Sequence, residues 1–143
     1  MSSHITVEGE TLSGAYGPDW ETRLGRTYLQ MCGEVPSHVR ERWAVIARAG
    51  HPEITEAVEA LRAELIARNP LRDWRVQQLV QFGQLLVLGH EGPARLHARA
   101  AIGHGATLDD ILGVVVTAYV TAGVAAFSLG VKLIGELQAS WGP

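Results

Sequence analysis

Between Asp110 and Lys132 the chain carries no charged side chain; the run reads ILGVVVTAYVTAGVAAFSLGV. In a chain of 143 residues, so long an uncharged stretch must be buried in a bilayer, in a core or against a second subunit. Its length is enough to cross a membrane. Its content argues against that: three Gly, two Thr, a Ser and a Tyr lie within it, and no Trp or Arg anchor flanks it. The segment TAGVAAFSLG reads instead as a break between two packed helices. Both helices are apolar on nearly every face, and such helices are buried on more than one side. So short a chain has little else to cover them, so the expectation is a homo-oligomer without a membrane span.

The rest of the composition fits that reading. Hydrophobic residues make up 47% of the chain, enough for a real core. Most charged side chains lie before residue 76, so the first half reads as a solvated jacket and the second as the core. A net charge of −3 gives no electrostatic case for nucleic acid or an anionic membrane. Cys32 is the sole cysteine, which rules out an intrachain disulfide, a CxxC pair and a cysteine-rich zinc site. A reducing, cytoplasmic setting fits this, and MSSHITVEGETLSG lacks the basic and apolar regions of a signal peptide.

Proline and glycine mark out the organisation. Residues 1–18 are polar and Gly-rich and read as a flexible arm, and residues 19–143 as a single all-α domain. DWETRLGRTYLQMCG stops on Gly33, and PSHVRERWAVIARAG opens at Pro36 and stops on Gly50. HPEITEAVEALRAELIARN has Pro52 in its first turn and Ile54, Val58, Leu61 and Leu65 at helical spacing. PLRDWRVQQLVQFGQLLVLG and GPARLHARAAIGHG follow, and Thr107 with Asp110 forms a capping-box pattern before the apolar run. The count is about six or seven helices.

Two stretches carry groups suited to chemistry. In RLHARAAIGHG, His97 and His104 are seven apart and share a helical face, while Arg95 and Arg99 share another. Glu91 precedes Arg95 by four, the favourable order for an ion pair, so the arginine row reads as structural. Histidines seven apart stand about 10 Å apart along the axis, too far to share one metal ion. On these grounds alone His97 reads as a hydrogen-bonded core histidine. In the preceding helix Trp74, Gln77, Gln78, Gln81 and Gln84 form a polar stripe among Leu, Val and Phe. Buried glutamines need partners, so the stripe lines a polar pocket or pairs across a subunit interface. No GxSxG, P-loop or GxGxxG is present.

The stretch QLVQFGQLLVLGHEGPARLHARAAIGHGATLDDILGVVVTAYVTAGVAA resembles the carboxymuconolactone decarboxylase family, which shares its fold with alkylhydroperoxidase AhpD-like proteins. An apolar LV…LLxLG helix, His97-Ala98-Arg99-Ala100, Gly105-Ala106-Thr107 with Asp109 and Asp110, and the Ala122-Gly123 turn carry the likeness. It implies an AhpD-like helical bundle assembled in rings such as trimers or hexamers. It also implies a reaction on a small cyclic or unsaturated carboxylic acid or lactone, with neither metal nor organic cofactor. The redox branch has Glu, CxxC and then His, but here those positions hold Gln78, His90, Pro93 and His97. Thiol peroxidase chemistry is thereby excluded. The usual Pro after the closing turn is replaced by Ala125, and Arg75 is the closest cation to an Arg expected near Gln77. The resemblance makes His97 the catalytic candidate, with Trp74, Arg75, Gln78, Gln81, His90 and His104 as substrate-binding candidates. The alternative is a non-catalytic ligand-binding or assembly protein that keeps the fold.

Overall fold

The computed structural model describes residues 3–140, and among them it contains nine helices and no strand. They are α1 (Ser3–Tyr16), α2 (Trp20–Arg23), α3 (Arg26–Cys32), α4 (Ser37–Arg48), α5 (Pro52–Arg68), α6 (Trp74–Leu88), α7 (Glu91–Gly103), α8 (Leu108–Ala122) and α9 (Val124–Ser140). The all-α expectation holds, with more helices than the spacing predicted. One addition comes from Gly25, which divides the expected Asp19–Gly33 helix into α2 and α3. A Cβ there would lie 2.4 Å from Val35 Cγ2 and 2.5 Å from the Glu21 carbonyl oxygen, so only glycine lets the backbone turn that tightly.

The other addition corrects the expected arm. Residues 3–16 form α1, with Leu12 and Tyr16, one turn apart, buried on the same face. Residues 1–2 of that arm lie outside the described residues. Packing divides the chain at residue 70, into units 1–70 and 71–143, and not at residue 18.

In the first unit aromatic rings fill the space between short helices. Trp43 is 1% exposed and meets Tyr16, Trp20 and Tyr28 edge-on at centroid separations of 6.4, 6.3 and 6.0 Å. The Tyr16 hydroxyl donates to the Trp43 carbonyl at 2.7 Å and lies 2.9 Å from Thr55 Oγ1. Thus α5 is held through polar residues: its buried positions are Thr55 and Glu59. The apolar face drawn from its spacing, Ile54, Val58, Leu61 and Leu65, points outward.

In the second unit small and aliphatic side chains pack closely. Phe82, Leu86, Ala94, Ala98, Ala101, Ile111, Val115 and Leu133 form its centre. The uncharged run is broken where expected: α8 ends at Ala122, Gly123 takes φ +86°, and α9 begins at once. Among the described residues no helix is long and apolar enough to cross a membrane. Thr107 and Asp110 make both hydrogen bonds of the capping box.

Candidate active site

The facing sides of α6 and α7 bring four of the seven candidates into two pairs. On α6, Trp74, Gln78 and Gln81 follow at spacings of four and three, which puts them on one face. On α7 the matching positions are His104, its C-terminal cap residue, and His97, two turns earlier. Trp74 stacks on the His104 ring at 5.5 Å with 12° between planes. One turn further along α6, Gln78 Oε1 lies 2.6 Å from His97 Nδ1.

The second pair sets the chemistry of the imidazole. An amide oxygen only accepts, so Nδ1 carries the hydrogen in this pair. Gln78 is 1% exposed and His97 half-buried. Leaving the Gln78 oxygen without a donor there would cost about 1–3 kcal/mol. Because the partner is a neutral amide, it orients the ring without the charge that would favour the imidazolium.

The remaining candidates fall elsewhere. Arg75 is held by carboxylates: its Nη1 is 3.5 Å from Asp110 and its Nη2 3.6 Å from Asp73. It ties the start of α6 to the start of α8. The Thr107 amide and the Arg75 charge hold the Asp110 carboxyl below its ordinary range. Gln81 is half-buried one turn beyond Gln78. His90 is exposed at the start of α7, and no hydrogen bond joins it to Gln78.

The glutamine stripe does not act as one unit. Gln77 donates to the Leu71 carbonyl, Gln78 serves His97, and Gln84 borders an open groove on another side of α6. Sequence reasoning missed both pairings. The spacing of Trp74 and Gln78 was the available signal, but the register of α7 against α6 is a tertiary property.

On the arginine face, Arg95 makes the expected pair with Glu91 and adds a second carboxylate. Arg95 Nε lies 2.6 Å from Glu136 on α9, and Glu91 accepts from both Arg95 and Lys132. Arg99 is exposed. Glu91 and Glu136 are both held below their ordinary range, chiefly by hydrogen bonds from Lys132 and Arg95 respectively. Among the described residues no cluster of three or more His, Cys, Asp or Glu could hold a metal ion.

An uncharacterized protein of Methanocaldococcus jannaschii is 29% identical over 92 residues, covering 64% of this chain and 85% of the relative. No solved structure matches significantly. Residues 52–134, more than half of the chain, match the carboxymuconolactone decarboxylase family. The chain belongs to the carboxymuconolactone decarboxylase family.

Proposed function

We propose that the protein is a cofactor-independent acid/base enzyme that decarboxylates or isomerises a small cyclic or unsaturated carboxylic acid or lactone. The observation that carries this reading is the 2.6 Å hydrogen bond from His97 Nδ1 to Gln78. It orients a half-buried imidazole whose ordinary pKa of about 6.5 suits proton exchange near neutrality. In the decarboxylation, the bond from the ring carbon to the carboxylate breaks and carbon dioxide leaves. The electron pair passes to the carbon conjugated with the lactone carbonyl, and the His97 imidazolium protonates that carbon. Solvent then restores the proton to His97. The Trp74–His104 stack offers a flat wall for a ring, and Gln81 an uncharged donor for a carbonyl. Arg75, engaged by two aspartates, is the weaker choice for a substrate carboxylate, beside His90 and His104.

The test is turnover of a panel of small unsaturated lactone acids, beginning with carboxymuconolactone, followed by mass spectrometry. His97→Ala is expected to abolish turnover, a loss of at least about 100-fold, while the circular dichroism spectrum stays helical. Gln78→Glu places a carboxylate on Nδ1 and is expected to move the pH profile upward, because a negative neighbour favours the imidazolium. Full activity in His97→Ala removes the assignment. Tight binding of a panel member without product favours the ligand-binding alternative.

A further inference from the structure

A closed ring of contacts runs through one end of the candidate site. Trp74 and Arg75 are neighbours at the start of α6, about 100° apart around the helix, and α6 packs on both α7 and α8. Trp74 stacks on His104 at the end of α7. Arg75 Nη1 lies 3.5 Å from the carboxylate of Asp110 in the first turn of α8. That carboxylate accepts from the Thr107 amide at 3.0 Å, and the Asp110 amide donates to Thr107 Oγ1 at 3.1 Å. Thr107 stands three residues from His104, so the ring closes.

The turn that carries His104 needs such fastening. Gly103 and Gly105 flank the histidine, and Gly105 takes φ +99°. Glycine on both sides makes the unfastened backbone costly to order. On the α7 side, the Gly105 and Ala106 amides donate to the Ile102 and Ala101 carbonyls at 3.0 and 2.9 Å. On the α8 side, the capping box closes the turn. Neither fastening involves α6, which carries the other half of the stack.

Arg75 supplies that link, and its own geometry is preset. Asp73 caps α6 by accepting from the Arg75 amide at 2.9 Å, and its second carboxylate oxygen lies 3.6 Å from Nη2. The guanidinium thus stands between one carboxylate at the start of α6 and one at the start of α8. A planar group with donors on several sides suits that bridge better than an ammonium does.

We infer that Arg75 is a positioning residue: through Asp110 and the capping box it fixes the His104 turn and so holds the His104 ring flat on Trp74. Its consequence for turnover rests on the function proposed above. A flat wall touches a ring substrate alike in the ground and transition states, so loosening it weakens binding and leaves the chemical step nearly unchanged.

Nuclear magnetic resonance tests the positioning without a substrate. At about pH 9, where histidine rings are ordinarily neutral, the indole of Trp74 is expected to shift the His104 ring protons upfield. The size of that shift is the difference from Trp74→Leu. Arg75→Gln is expected to lose at least about half of it. Asp110→Asn keeps an oxygen for the Thr107 amide but removes the charge, and is expected to do the same. The double variant is expected to lose no more than either single one, because both break one link. In turnover of the lactone-acid panel, each variant is expected to raise KM by up to about fivefold with kcat nearly constant. An unchanged His104 shift in Arg75→Gln overturns the inference. So does a lower KM in Asp110→Asn, since the released Arg75 would then be binding substrate itself. If wild type turns over no panel member, the proposed reaction fails, and the His104 shift alone decides the positioning role.

Discussion

The two units solve the same packing problem with opposite materials. In the first, four rings centred on Trp43 fill the interior together with buried Thr27, Thr55 and Glu59. In the second, helices approach closely because alanines and Gly130 stand at their contacts. A core of large rings depends on each ring for its volume, so it fails by removal. A core of small residues has no slack, so it fails by addition.

Removing the central ring of the first unit carries the largest expected effect. Trp43→Ala deletes the side chain that touches Tyr16, Trp20 and Tyr28. It should cost about 3–5 kcal/mol, measured by urea unfolding. A loss below about 1 kcal/mol would show that the ring cluster closes over the space.

Addition to the second unit comes next. At Gly130 a Cβ would sit 2.5 Å from Val115 Cγ2 and 2.7 Å from Cγ1, and Val115 is fully buried. Gly130→Ala should therefore destabilise by about 1–3 kcal/mol, even after the roughly 1 kcal/mol that alanine gains in helix propensity. Adding Val115→Ala should recover part of that loss. Strict additivity of the two substitutions would refute the contact.

The smallest effect is a pH dependence confined to the first unit. Burial pushes the Glu59 carboxyl above its ordinary value of 4.5, and the nearby Arg62 and Arg42 charges only partly oppose this. As pH rises above 4.5, the unfolded chain loses the Glu59 proton before the folded one does. Stability from this group is thus full at low pH and declines as pH climbs toward the folded value. Glu56, held down chiefly by its hydrogen bonds from Arg23, works in the other sense and loses its contribution as pH falls. Glu59→Gln should melt higher than wild type by a margin that grows as pH rises above 4.5. A constant gap across that range would contradict a buried, raised carboxyl.

Legibility in the sequence followed the range of the interaction. Thr107 and Asp110 announced the start of α8, and Gly33 and Gly123 the ends of α3 and α8, because caps and left-handed turns are decided within a few residues. The Glu91–Arg95 pair was legible for the same reason, but its extension to Glu136 and Lys132 on α9 was not. Helix α1 was missed: Gly9 and Gly14 lower its local propensity, and burial of Leu12 and Tyr16 overrides that. His97 stood out by resemblance, whereas its partner required the register of α6 against α7.

By itself the sequence determined an all-helical chain, the positions of most helix ends, the break in the uncharged run and the absence of a thiol pair beside His97. Those properties depend on propensity, capping and residue identity, which act locally. Only the tertiary structure decided that Gln78 holds His97, that Arg75 belongs to two aspartates, and that α5 buries Thr55 and Glu59 while showing its apolar side. Periodicity tells which residues share a face. What that face meets depends on the packing of distant segments, and on α5 that packing selected the polar side.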